Sequence, residues 1–456
     1  MASLRRVVVI LASFAMASAF QFAPLRTPAP MRTAAGTLSA STASPEGPQT
    51  KKFSIPPILG GLKAGTKKLC VITGASSGLG LEAARVLAER GDYYIIAAVR
   101  DVAKMKREAE RMGIPSSSYQ ALECELADLA SVKKFCSDLK AFKGPKPLDC
   151  LVCNAAVYLP TDPKPRYSKD GYEMSMAVNH LGHFKLINEM LPDMAKNKAK
   201  DARVVIVGSI TGNSNTVGGG AVYPRADVGQ FQGWEGPDAG KFTPMVDGKP
   251  FFGAKAYKDA KVCNMMTVSE LHRRYHEDTG ITFSSLYPGC IAETPLFREK
   301  RPWFQKLFPL FMKYVTGGYV SMPESGERLA QVPFPSSFPF FPFFSFFHTS
   351  LFLPTPPLVF PFFLSSPACP PACPKVVSDP VCSKSGIYWS WNGGAKTVAF
   401  VNPLTNKLEG AGGSGGEIFE NDQSSQVTDI AKQDKMWELS SKLVGCEWPA
   451  SYKGKK

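Results

Sequence analysis

The feature that most constrains this chain is a glycine-rich turn, Thr73-Gly74-Ala75-Ser76-Ser77-Gly78-Leu79-Gly80, set between the apolar run KLCVIT and the amphipathic run GLEAARVLAER. Glycine admits backbone conformations closed to other residues. A strand that feeds a helix through such a turn aims N–H groups and the helix's positive end at one point, where an anion is stabilised. A tight turn with no ligand would need only the glycines. The second strand, YYIIAAVR, which ends at Arg100, completes a strand–turn–helix–strand unit and points to a dinucleotide's pyrophosphate. The alternation continues through VAKMKREAERMG, LDCLVCNAA, ARVVIVGSI and ITFSSLYPG. Strands and helices at this spacing predict an α/β fold, a doubly wound parallel sheet covered on both faces.

Composition narrows the class. With 44% hydrophobic and 20% charged residues, the 456-residue chain can bury a core and is not wholly disordered. The net charge of +14 invites nucleic acid or an anionic membrane as partner. A basic leader and the lysines of the tail 447–456 (Lys453, Lys455, Lys456) account for part of it, so no nucleic-acid partner is expected. The 11 cysteines are too sparse for a disulfide scaffold, and no metal site is expected. Cys150 and Cys153 form a CxxC within a buried-strand pattern, where core thiols are favoured over redox or metal chemistry.

Arg5 and Arg6 precede the apolar run Val7 to Met16, which closes at Ala17-Ser18-Ala19 before Phe20. That is a charged region, a short apolar core and a small-residue cleavage site, expected to be a signal peptide over 1–19. The following stretch is acid-free to Pro45, with Arg26 and Arg32 among Ser, Thr, Ala and Pro. Together with the leader it resembles the bipartite import signal of algal secondary plastids, with a transit-like segment over 20–52.

At the end of the second strand an NAD enzyme would place a carboxylate against the ribose. Here stand Arg100 and, one helical turn on, Lys104, which favour NADPH; a solvated basic face, shared with Lys106 and Arg107, is the alternative. Further along, Tyr257-x-x-x-Lys261 puts a phenol and an ammonium on one helix face, where the cation can lower the phenol's pKa and the pair can move a proton.

TGASSGLG at 73–80, CNAA at 153–156, Asn179 in AVNHLGHF, the Tyr257/Lys261 pair and Pro288-Gly289 resemble, in that order, the short-chain dehydrogenase/reductases. The resemblance implies a Rossmann-type single catalytic domain. VCNAAVYLP, VGSITGNSNT, AYKDAKVCNM, LYPGCIAETPLFRE and SGIYWSWN are similar to the light-dependent protochlorophyllide oxidoreductases within that superfamily, over about 67–331 and 376–446. That family implies a hydride from NADPH to protochlorophyllide, a photon absorbed by the pigment, and a proton from Tyr257 assisted by Lys261. It implies NADPH contacts from Gly74, Ser76, Ser77, Gly78, Leu79, Gly80, Arg100, Lys104, Glu125, Leu126, Asn154, Ala155, Pro288, Gly289 and Thr294, besides Tyr257 and Lys261. Asn179 would support a relay water, and Cys290 would meet the substrate. Ser209 and Thr211 compete for the active-site hydroxyl, with Thr211 preferred. The long insertion between Thr211 and Tyr257, with Phe231, Trp234, Phe251 and Phe252, would cover a large flat substrate. A plastid location on the thylakoid or inner plastid membrane, peripheral contact with it and a homo-oligomer are also implied.

Glu125 departs from the family's Asp, Lys185 replaces an apolar residue, and 410–416 carries a glycine-rich insertion. A dark reductase of a lipophilic alcohol or ketone, such as a retinoid, is the alternative within enzymes. A non-catalytic dinucleotide-binding or membrane-scaffold protein is the alternative outside them. The insertion and Cys290 favour the pigment, and the intact Tyr257/Lys261 pair favours catalysis.

One segment fits none of this. Pro333 to Pro374 holds 12 Phe and 12 Pro with no Asp, Glu, Lys or Arg. Proline at that density breaks helix and strand alike, and the exposed apolar surface is one soluble proteins avoid. Phe, Pro, Ser and Leu all use pyrimidine-rich codons, as in a polypyrimidine tract. Val332 begins with GT, Lys375 can end in AG, and excising 332–375 joins Gln331 to Val376 as GERLAQVVSDP. A retained intron or gene-model error is the expected origin. Complementary DNA sequenced across codons 320–390 should therefore lack the 44 codons from Val332 to Lys375. A dominant message that keeps them, with their peptides seen by mass spectrometry, would refute this.

Overall fold

The computed structural model describes residues 65–331 (apart from 221, 237, 244 and 301), 380–393, 400–401, 408–409, 413–450 and 452. The leader, the Phe/Pro tract with Cys369 and Cys373, and the terminal lysines lie outside the described residues.

Seven parallel strands are laid down in the order expected of a doubly wound sheet. They are β1 (Lys68–Thr73), β2 (Tyr93–Val99), β3 (Tyr119–Glu123), β4 (Cys150–Cys153), β5 (Arg203–Val207), β6 (Thr282–Leu286) and β7 (Ile387–Trp391). An eighth, β8 (Ile418–Glu420), pairs antiparallel with β7, giving the order β8-β7-β6-β5-β4-β1-β2-β3. SGIYWSWN, expected to pack on the domain, is thus a strand of the sheet itself, hydrogen-bonded beside β6.

Both faces are buried, so the strands are apolar throughout and their two-residue period sorts side chains between two cores. Leu69, Val71, Ile96 and Leu151 join the core under α3 (Leu129–Lys143), α4 (Gly182–Met194), α5 (Gly253–Leu271) and α8 (Ile430–Val444). Cys70, Ile72, Ile95 and Val152 join the core under α1 (Gly78–Arg90), α2 (Val102–Arg111) and α7 (Met322–Gln331). Between α5 and α7 lies the short α6 (Pro302–Phe311). Cys150 and Cys153 are buried free thiols, as expected of core residues. Trp448 and Tyr452 also pack against the first core, and Asn188 and Tyr275 donate to the carbonyls of Glu447 and Pro449.

The aromatics of the insertion are only partly where a substrate cover would need them. Phe231 and Trp234 are core residues, Trp234 stacked on His180 with centroids 6.0 Å apart. Large apolar rings on a loop find more buried area against a helix bundle than against a ligand face. Tyr223 and Phe252 remain exposed and in contact with one another.

Helix α7 packs on α1 so closely that a Cβ on Gly326 would stand 2.5 Å from the Glu82 Cβ. Gly326→Val should therefore cost about 1–3 kcal/mol through overpacking, read as a lowered Tm. An unchanged Tm would show that the two helices do not depend on this approach.

Candidate active site

The crevice opens where strand order reverses, between β1 and β4, at the carboxyl ends of the strands. Gly74 and Gly78 both have positive φ, +68° and +58°. A Cβ on Gly80 would lie 2.5 Å from Asn154 Nδ2 and 2.7 Å from the Gly74 carbonyl, so only glycine lets the turn fold back on itself. Asn154 Nδ2 donates to the Thr73 carbonyl at 2.9 Å, and the Asn154 and Ala155 amides both donate to Thr73 Oγ1 at 2.9 Å. Ser76, Ser77 and Leu79 are half-buried at the rim, and α1 starts with no acidic residue in its first turn. A shallow, side-chain-free cradle at a helix's positive end fits a dinucleotide's diphosphate.

Arg100 is exposed at the end of β2, its Nη1 3.8 Å from Glu125 Oε2. Lys104 is half-buried, its amide held by the Asp101 side chain. The longer Glu125 carboxylate bends back to accept from the Ala127 amide at 2.9 Å, while Leu126 is buried against Gly182. Pro295 and Met322 lie over Gly78, and Thr294 accepts from the Leu296 amide to cap the turn Pro295–Phe297. Pro288 and Gly289 are buried; the Pro288 carbonyl accepts from Arg328 at 2.9 Å and Gly289 takes φ +106°.

On α5, Tyr257 and Lys261 share a face, the ammonium 5.6 Å from the phenol ring. Lys261 Nζ donates to the Val207 carbonyl at 2.6 Å. Burial pushes the Tyr257 phenol up to about 12, and the Ser209 hydroxyl opposes the rise. The expected lowering by Lys261 is therefore not what this site shows. Desolvation of the phenolate outweighs it, and the tyrosine keeps its proton at neutral pH. Burial also brings Lys261 down to about 8. Of the two competing hydroxyls, it is Ser209 whose influence on the phenol is felt. Thr211 Oγ1 stands one step behind, 2.8 Å from Ser209 Oγ.

Asn179 lies in a π-turn, Ala177–Leu181, that widens the helix leading into α4. Its side chain grips the loop after β4, accepting from the Val157 amide at 2.8 Å and donating to the Val157 carbonyl at 3.0 Å. Its carbonyl accepts from Asn264 Nδ2 at 3.0 Å and stands 3.1 Å from His183 Nδ1. Burial pulls His183 down to about 4, so it is neutral.

Three residues that sequence reading did not single out complete the floor. The Tyr158 ring lies 4.8 Å from the Tyr257 ring, the Lys300 ammonium 5.1 Å from the Tyr158 ring, and Tyr287 directly follows β6, three residues before Cys290. Tyr158 and Tyr287 were inside quoted motifs; Lys300 carried no local signal. Cys290 is half-buried, and desolvation raises its thiol to about 12, which makes it a packing contact and not a thiolate nucleophile.

The family description short chain dehydrogenase matches residues 68–226. The protochlorophyllide reductase of Marchantia paleacea is 44% identical over 84% of this chain and 69% of its own length. That of Cucumis sativus is 42% identical over 94% and 89%, and that of Daucus carota 44% over 84% and 80%. The chain belongs to the protochlorophyllide reductase family. Among the described residues no group of three or more His, Cys, Asp or Glu could hold a metal ion.

The two hydroxyls separate by experiment. Ser209→Ala removes the hydroxyl that acts on the phenol and should slow reduction about tenfold, the weight of one buried hydrogen bond. Thr211→Val should cost less than about threefold, since its hydroxyl reaches the phenol only through Ser209. The reverse ranking in initial rates would return the role to Thr211.

Proposed function

We propose that the protein reduces protochlorophyllide to chlorophyllide with NADPH in the plastid, light absorbed by the pigment starting the reaction. The observation that carries this reading is the buried, protonated Tyr257 beside Lys261 and under the influence of Ser209, in a chain of this family. NADPH, when bound, supplies the hydride. The glycine turn 74–80 with Asn154 and Ala155 would hold its diphosphate, and Pro288, Gly289 and Thr294 would border the nicotinamide half. Arg100, exposed at the end of β2, would take the 2′-phosphate with Lys104.

Tyr257 then acts as the proton donor. A phenol near 12 holds its proton through the neutral range and releases it only to a strongly basic centre, such as carbon after hydride addition. Ser209 stabilises the phenolate left behind, and Lys261 with water near Asn179 returns the proton. Tyr158, Tyr287 and Cys290 would border the macrocycle. Plastid location follows the chloroplastic relatives. Among the described residues no helix is long and apolar enough to cross a membrane. Peripheral contact with the thylakoid or inner plastid membrane is supported by α6 and the turn after it, where Trp303, Leu307, Leu310 and Tyr314 are exposed.

Mixed in darkness, protein, NADPH and protochlorophyllide should accumulate as an unreacted complex, and one flash should convert a fraction with a red absorbance shift. Tyr257→Phe should still bind both ligands while conversion per flash falls about 10²–10⁴-fold. Steady turnover in darkness would favour the dark reductase, and an unchanged yield in Tyr257→Phe would remove this residue from the mechanism.

A further inference from the structure

We propose that His183 is a positioning residue for the reduction: as a neutral imidazole with its hydrogen on Nδ1, it holds the cofactor turn and the helix of Tyr257 at a fixed separation. This rests on the reaction proposed above, in which the hydride leaves a cofactor seated on the glycine turn and the proton leaves Tyr257. The two donors belong to different elements, the turn after β1 and the helix α5, yet both must meet neighbouring carbons of one flat substrate. A misplacement of about 1 Å can cost such a reaction about 10²-fold.

The hydrogen bonds fix the state of the ring. Thr73 closes β1, and its Oγ1 accepts from the amides of Asn154 and Ala155, each at 2.9 Å. A hydroxyl has two acceptor positions and one hydrogen, so towards a third partner Thr73 can only donate. His183 Nε2 stands 2.9 Å from this oxygen, and the Val152 carbonyl is more distant, at 3.4 Å. Nε2 therefore carries a lone pair. On the far side of the ring, Nδ1 lies 3.1 Å from the Asn179 carbonyl, which has no hydrogen to give, so Nδ1 carries one. An imidazolium would set a hydrogen against an oxygen whose acceptor positions are already used. Burial, which pulls His183 down to about 4, acts in the same direction.

Each end of the ring reaches one half of the site. On the cofactor side, Thr73 also accepts through its carbonyl from Asn154 Nδ2 at 2.9 Å, the group packed against Gly80. On the other side, Asn264 Nδ2 donates to the same Asn179 carbonyl at 3.0 Å. Asn264 stands one turn beyond Lys261 and two beyond Tyr257 on α5, along the face that carries both. It is itself held, its Oδ1 3.3 Å from His180 Nδ1, while His180 Nε2 stands 2.9 Å from Ser440 Oγ on α8. Asn179, His180, His183 and Asn264 are each at most 2% exposed, so solvent is a poor substitute for a bond lost among them.

The test is the yield of chlorophyllide per flash from complexes assembled in darkness with NADPH and protochlorophyllide, divided by the amount of complex read from the pigment's absorbance. A purely structural role changes how much complex forms, whereas a positioning role changes the yield per complex. His183→Leu removes donor and acceptor together, and its yield per complex should fall about tenfold to a hundredfold, the range for buried partners left unpaired. His183→Gln restores one acceptor and one donor and should stay within about threefold of wild type. Nitrogen-15 spectra of histidine-labelled protein at neutral pH, with the His183 signals assigned by their loss in His183→Gln, should show a neutral ring protonated at Nδ1. A full yield per complex in His183→Leu would overturn the proposal, as would His183→Gln impaired as strongly as His183→Leu. If His183→Leu forms no complex, the other two measurements decide: a yield in His183→Gln reduced tenfold or more, or a wild-type ring protonated at Nε2, overturns it. A wild-type complex that gives no product in light would overturn the functional reading and this role with it; in every other case the wild type converts and only the role of His183 is at stake.

Discussion

The site depends on one hydroxyl. Where the sheet parts between β1 and β4, Thr73 Oγ1 receives the amides of Asn154 and Ala155 and stands 2.9 Å from His183 Nε2. His183 is neutral, and its Nδ1 faces the Asn179 carbonyl, an acceptor, so Nδ1 carries the hydrogen and Nε2 accepts from Thr73. The chain of hydrogen bonds runs from the glycine turn through Thr73 and His183 to the π-turn, and on through Asn264 to α5. Cofactor cradle and Tyr–Lys helix are thus tied across the crevice by satisfied polar groups. A buried network of this kind is rigid only when every member is paired, which accounts for an uncharged histidine at its centre.

Burial does the electrostatic work. Lys261, Lys258 and Lys300 are all brought down to about 8, and Tyr257 is pushed up to about 12, in each case chiefly by desolvation. The lysines are costly to keep charged and the phenol costly to ionise. Both costs are offset when an anionic cofactor and substrate fill the crevice and bring negative charge to the cations. The tyrosine meanwhile stays an acid until a base strong enough to take its proton forms beside it.

Local motifs were legible because their chemistry is local. The glycine turn, the Tyr257/Lys261 spacing and the alternating strands each follow from a few neighbouring residues, and the sheet order follows from the connections between them. The preference for Thr211 over Ser209 had no local basis in the sequence, because two residues of separation at the end of β5 decide which hydroxyl faces α5. Phe231 and Trp234 were misplaced for a related reason: aromatic composition is the same for a core plug and a ligand cover. Lys300 had no sequence signal at all. Its position over Tyr158, which lies on a different loop, and its burial are encoded by no local pattern.

The segment after Cys290 explains why both halves of the site behave as one. Pro295 and Met322 from this segment cover Gly78, so its beginning and end border the cofactor turn, while Lys300 and Phe304 between them border Tyr158. Its return limb is clamped by Arg328, 4% exposed, which donates to the Pro288 and Gly413 carbonyls and to Glu324 and stacks on Trp391 at 5.2 Å. Gly326 lets that limb lie directly on α1, the helix that opens at the diphosphate cradle. The contacts that seat the return limb on α1 therefore also hold the segment that borders Tyr158, so the glycine turn and the surroundings of Tyr257 share one set of packing contacts.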